Sequence, residues 1–154
     1  MGTSEKESCI MIYQTLFDNA FHKMEERGWD YIAIAVDLHD TVFKATYSTE
    51  LSTEYYPYAK EALQLLTADP RVLMYMYTCS PVDSCTRTER FFLKDGIYMS
   101  AFPQVVMTQM GIKDTDFQDF SEKPYFNILL EDKAGFDPNK DWELILEYLT
   151  LKHS

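Results

Sequence analysis

The sequence is short of cysteine, of positive charge and of long apolar runs, and each shortage narrows what the protein can be. It has three cysteines, Cys9, Cys79 and Cys85, in 154 residues. No two are spaced as CxxC, so a structural zinc site is not expected. An odd, small count fits a reducing, cytoplasmic setting better than a disulfide framework. No run of about 18 or more apolar residues is present, so no membrane span is expected. The N-terminal residues Met1 to Ser8 are polar and acidic and do not read as a secretory leader. Lys6 stands where a myristoylation signal after Gly2 needs Ser or Thr.

Basic residues are outnumbered 14 to 25 by acidic ones, and the formal net charge of −11 opposes contact with a phosphate backbone. Arg87, Arg90 and Lys94 are a local exception, too few to make a basic stripe. Nucleic acid is therefore not the expected partner. What the chain does have is core-forming material: 46% of residues are hydrophobic and 15% aromatic. The length is that of one domain.

Periodicity divides the chain into alternating elements. Tyr13, Leu16, Phe17, Ala20, Phe21 and Met24 recur at helical spacing and predict a helix over about 8–27, closed by Gly28. Tyr31 to Val36 is a continuous apolar run, the mark of a strand buried on both faces. Residues 43–58 are polar and tyrosine-rich and read as a small flap, with Tyr47, Tyr55, Tyr56 and Tyr58 either packing it down or lining a pocket. A helix is predicted over 58–67, a second buried strand over 72–77, and a helix over 85–94. Gln104 to Thr108 predicts a third strand and Phe126 to Leu130 a fourth. Asp137-Pro138 is a helix start, with Asp as cap and Pro in the first turn. Trp142, Ile145, Leu146 and Leu149 then form the apolar stripe of a last helix. Strands alternating with helices predict a single α/β domain, a Rossmann-like three-layer sandwich with a mostly parallel sheet of at least four strands.

In such sheets ligands bind beyond the carboxyl ends of the strands. Polar groups follow each predicted strand. Asp37, His39, Asp40 and Thr41 come after the first, Thr78 and Ser80 after the second, Lys113 after the third, and Glu131 and Asp132 after the fourth. Asp137 follows at the last helix start, where it reads more readily as a cap than as a ligand.

Over about residues 30 to 137 this order resembles the haloacid-dehalogenase-like (HAD-like) superfamily, in a form with little cap. That family carries Asp-x-Asp-x-Thr after its first strand, Ser or Thr after the second, then a Lys, then acidic residues after the fourth. The resemblance implies a Mg²⁺-dependent phosphomonoester hydrolase acting on a small phosphorylated metabolite or nucleotide. By it, Asp37 is the nucleophile, Thr78 a hydroxyl contact to the phosphate, and Lys113 its ammonium contact. Asp37, Asp132, Glu131 and the backbone carbonyl of His39 are the metal ligands. The chemistry suits these residue types. A carboxylate forms an aspartyl-phosphate that water hydrolyses, and a divalent cation offsets the repulsion between two anions. Lys123 rivals Lys113. It precedes the fourth strand, however, and about five residues at ~3.3 Å each would carry it to the opposite sheet edge. Ser80 similarly rivals Thr78.

Three departures from the family pattern stand out. His39 replaces the second Asp, the residue that protonates the leaving oxygen; an imidazole can do that work, or the change can leave a domain that binds without turnover. Asp40 replaces a Gly, in a turn that needs positive φ, a region Asp tolerates. Glu131 replaces a shorter Asp. Only about 36 residues separate Thr41 from Thr78, too few for a large cap.

Overall fold

The computed structural model describes residues 2–44, 53–78, 82–111 and 125–153. In chain order these form α1 (Gly2–Arg27), β1 (Ile32–Val36), α2 (Ala59–Ala68), β2 (Val72–Met76), α3 (Val82–Lys94), β3 (Met99–Ser100), α4 (Pro103–Gln109), β4 (Ile128–Leu130) and α5 (Asp141–His153), with a short 3-10 helix at Asp132–Ala134 before α5. The four strands make one all-parallel sheet in the order β3-β2-β1-β4.

All five residues of β1 are buried, because helices cover both of its faces. Ile32, Ile34 and Val36 point to one side. There they join Met74 and Met76 of β2, Ile128 and Leu130 of β4, and apolar residues of α1, α2, α3 and α5. Ala33 and Ala35 point to the other side and meet Tyr75, Val106 and Met110. α4 packs on that face against β2 and β3. The distribution follows from topology. Crossovers of one hand that step β1 to β2 to β3 place α2 and α3 on the same face. The chain then reverses across the sheet to reach β4, and α4 falls on the opposite face. Helices on both sides of a parallel sheet give a Rossmann-like three-layer α/β fold, as the pattern of elements predicts.

Two predicted elements are corrected. Gln104 to Thr108 is not a strand but the body of α4; β3 is the two-residue Met99–Ser100 just before it. The paired valines suggest a strand, but Pro103 sits in the first turn of a helix, where its missing N–H costs nothing. Val106, Met107 and Met110 are then buried at helical spacing while Gln104, Val105 and Thr108 are exposed. The last helix starts at Asp141 rather than at Asp137-Pro138. A turn occupies residues 138–140, tied by Asp137 N–H donating to Asp141 Oδ2 at 2.8 Å and Asn139 N–H donating to Asp137 Oδ1 at 3.0 Å. Asp137 thus caps a turn, one step before the helix. The first helix is also longer than predicted, beginning at Gly2.

The flap is anchored by antiparallel pairing of its two ends. Lys44 N–H donates to Glu54 O and Tyr56 N–H to Val42 O, both at 2.9 Å. Tyr55 packs with Phe43, Phe91 and Phe92, and its hydroxyl donates to Asp95 Oδ2 at 2.8 Å. It is a packing residue. Tyr47 lies outside the described residues, and so does Cys79. Cys9 is half-buried and Cys85 buried, and the two are not joined in a disulfide. No helix among the described residues is long and apolar enough to cross a membrane.

Candidate active site

The sheet order reverses direction between β1 and β4, with β2 and β3 on one side of β1 and β4 on the other. In open parallel sheets such a reversal, beyond the carboxyl ends of β1 and β4, is where ligands bind. Val36 is level with both Met76 and Leu130. Asp37 emerges next, its N–H donating to Leu130 O at 2.9 Å, and Tyr77 N–H donates to Val36 O at 2.8 Å. The chain just past β1 is thus fixed from both sides before it turns.

The turn is tight. Leu38 is buried, and its carbonyl accepts from the N–H groups of Thr41, Val42 and Phe43, at 3.4, 2.9 and 2.9 Å. Asp40 N–H donates to Phe43 O at 2.9 Å, and Asp40 takes a positive φ of 61°. This is the left-handed conformation, and Asp is among the few non-glycine residues that accept it.

Thr41 is the centre of the polar network. It is fully buried, so each of its polar atoms needs a partner. Its hydroxyl donates to Asp37 Oδ2 at 3.0 Å and accepts from Asp132 N–H at 3.1 Å. Its carbonyl accepts from the indole N–H of Trp142 at 2.6 Å. One threonine therefore ties the loop after β1 to the loop after β4 and to α5. The sequence marks Thr41 only as the end of a short motif and Trp142 only as part of an apolar helix stripe, because the bond between them joins residues 101 apart in the chain.

The β4 loop brings in the remaining carboxylates. Glu131 is extended, and its side chain accepts from Lys133 N–H at 3.3 Å. Asp132 opens the 3-10 helix, which ends at Gly135 with φ 100°. Carboxylate oxygens of Asp37, Glu131 and Asp132 lie within 4.8 Å of one another, all three residues being half-buried. The cost shows on Asp37. Its pKa is pushed up to about 6, chiefly by burial and further by the negative charges of Asp132 and Glu131, against the opposing pull of the Thr41 hydrogen bond. Three carboxylates this close together are a group that a divalent cation would neutralise, and all-oxygen donors suit Mg²⁺. The half-buried Tyr56 faces the same charge. Burial and then Asp40, Asp132 and Asp137 raise its pKa, so its hydroxyl stays protonated beside the cluster.

Of the residues singled out from sequence, Asp37, Glu131 and Asp132 converge as one group. Thr78 is half-buried on the same sheet edge, two residues past β2. His39 is half-buried in the β1 loop, its backbone bridged to Phe43. Lys113, Lys123 and Ser80 lie outside the described residues. A helix, not a strand, precedes Lys113 on the chain, so strand geometry no longer favours it over Lys123.

Fold and site together define an α/β protein with an acidic centre at its topological switch point. No protein-family model matches the chain, and no curated protein does. Among solved structures it is similar to a conserved protein coded by a locus from Bacteroides thetaiotaomicron, with a TM-score of 0.55 and 21% identity over 80% of this chain and 93% of that one. At that identity the likeness establishes the fold alone.

Proposed function

We propose that the protein is a Mg²⁺-dependent phosphomonoester hydrolase of the HAD-like type, acting through an aspartyl-phosphate on Asp37. The observation that carries this reading is the convergence of Asp37, Glu131 and Asp132 within 4.8 Å at the switch point. Asp37 and Asp132 would hold the ion, with Glu131 beside them and the His39 carbonyl completing the protein's share. When bound, Mg²⁺ offsets the charge between carboxylate and phosphate.

The chain's own residues supply the rest. A carboxylate oxygen of Asp37 attacks phosphorus, and the bond from phosphorus to the ester oxygen breaks. The electron pair leaves with that oxygen, which takes a proton from the His39 imidazolium. Water then attacks the aspartyl-phosphate and gives its proton to the now neutral imidazole. The phosphorus–Asp37 bond breaks, freeing phosphate and the carboxylate. The Thr41 hydroxyl keeps one carboxylate oxygen of Asp37 oriented throughout. Thr78, on the neighbouring strand end, is the hydroxyl contact to the transferring group. The ammonium contact falls to Lys113 or Lys123. The substrate is a small phosphorylated metabolite or nucleotide, and the setting a reducing, cytoplasmic one.

The test is hydrolysis of an aryl phosphate with and without Mg²⁺, by the natural chain and by Asp37→Asn. Metal-dependent turnover that Asp37→Asn abolishes is the expected result. Turnover that survives in Asp37→Asn sinks the mechanism.

A second reading rests on one observation, the imidazole of His39 where the family's second carboxylate stands. On that reading the site binds phosphorylated ligands and does not release phosphate. His39→Asp separates the two. Activity appearing only in the variant favours the binding domain, whereas activity already present in the natural chain and kept within about tenfold favours the enzyme.

A further inference from the structure

We propose that Trp142 is the positioning residue that sets the spacing of the two carboxylate-bearing loops, and so the affinity of the site for its cation. This rests on the metal-dependent reading above. The indole is fully buried, and its one polar atom is spent on the Thr41 carbonyl at 2.6 Å. That bond reaches the β1 loop at the residue whose hydroxyl touches both Asp37 and the Asp132 amide. The other side of the indole meets the β4 loop. Phe136 packs edge-on against it with ring centroids 4.9 Å apart, and Phe136 N–H donates to Glu131 O at 3.3 Å. One rigid aromatic on α5 thus touches both loops, at the backbone of one and at the anchoring side chain of the other.

The carboxylates need such a brace because they repel one another. Without a cation their mutual repulsion works against the Thr41–Asp132 hydrogen bond that joins the two loops. A buried hydrogen bond that fixes the turn, together with a ring that fixes its neighbour, keeps the oxygens close enough to be bridged by one ion. Groups that orient ligands from behind typically change metal affinity by ~10–100-fold when lost.

The experiment replaces Trp142 site-specifically by its benzothiophene isostere, which keeps the shape and lacks the N–H, and in parallel by Phe. Leu149→Ala is the control. Leu149 is buried on the same helix two turns further on and is in neither loop contact given above, so its loss weakens α5 without removing the brace. Mg²⁺ affinity is read by titration calorimetry, and amide exchange over residues 38–43 and 131–136 by mass spectrometry without metal. The isostere is expected to weaken Mg²⁺ binding ~10–100-fold and speed exchange in both segments, with Leu149→Ala within about twofold of the natural chain on each readout. Equal effects from Leu149→Ala, or no change in the isostere, overturn the proposal. If the natural chain binds no Mg²⁺, the metal-dependent reading fails, and the exchange data alone decide whether Trp142 braces the loops.

Discussion

Replacing Asp37 by Asn should stabilise the protein while removing its proposed nucleophile. The folded chain raises the Asp37 pKa from an ordinary 3.8 to about 6, with burial the largest cause. A shift of about two units corresponds to at most about 3 kcal/mol at ~1.4 kcal/mol per unit. Asp37 is only half-buried, so solvent screening brings the cost of ionising it to roughly 1–2 kcal/mol. The sign follows from proton binding. Between pH 3.8 and about 6 the folded chain keeps a proton that the unfolded chain has released, so stability falls as pH rises through that window. Above it the full cost of the charge is present. The substituted asparagine carries no charge, and its amide oxygen can still accept from Thr41. Asp37→Asn should therefore melt higher than the natural chain at pH 7.5, by roughly 2–8 °C for a domain of this size. The difference should shrink to nothing near pH 4. Differential scanning calorimetry across that pH range, without divalent cations, is the assay. A difference that does not depend on pH, or a variant that melts lower than the natural chain at pH 7.5, would refute the account of the site as a strained acidic cluster. On the proposed function, such a gain is the usual trade-off between stability and activity.

The turn after β1 can be tested at two more positions. Thr41→Val removes the hydrogen bond that opposes the rise in the Asp37 pKa and leaves the Asp132 N–H without its acceptor. It should cost about 1–3 kcal/mol in urea unfolding and move the acid limb of any Asp37-dependent activity to higher pH; an unmoved limb would mean that the bond does not act on Asp37. Asp40→Val should be less stable than Asp40→Gly by about 1–2 kcal/mol, because a β-branched residue resists the positive φ that Asp40 adopts. Equal midpoints in urea for the two variants would show that the turn takes another conformation.

Most of the architecture is legible in the sequence, and the reason is periodicity. β1, β2 and β4 are short apolar runs bounded by polar residues. α1, α2 and α3 repeat their apolar residues at a spacing only a helix can bury on one side. α4 escapes such a reading because two adjacent valines carry a strand signal locally. What overrules them is Pro103 together with the tertiary need to cover Ala33 and Ala35 on the far face. Asp137 misleads in the same way, since a capping residue followed by Pro signals the start of a turn whether or not a helix follows at once.

The sequence by itself determined which residue types stand after which strand, and a parallel sheet then carries those residues to one edge. Asp37, Glu131 and Asp132 can be found that way, before any distance is known. Tertiary structure alone decided the order of the strands, which puts β4 rather than β3 beside β1 and so brings carboxylates from distant parts of the chain into one group. It alone decided that Thr41 and Trp142 hold that group together. Hydrogen bonds between residues distant in the chain leave no periodic trace, because their partners are chosen by packing, and packing is settled only when the whole domain closes.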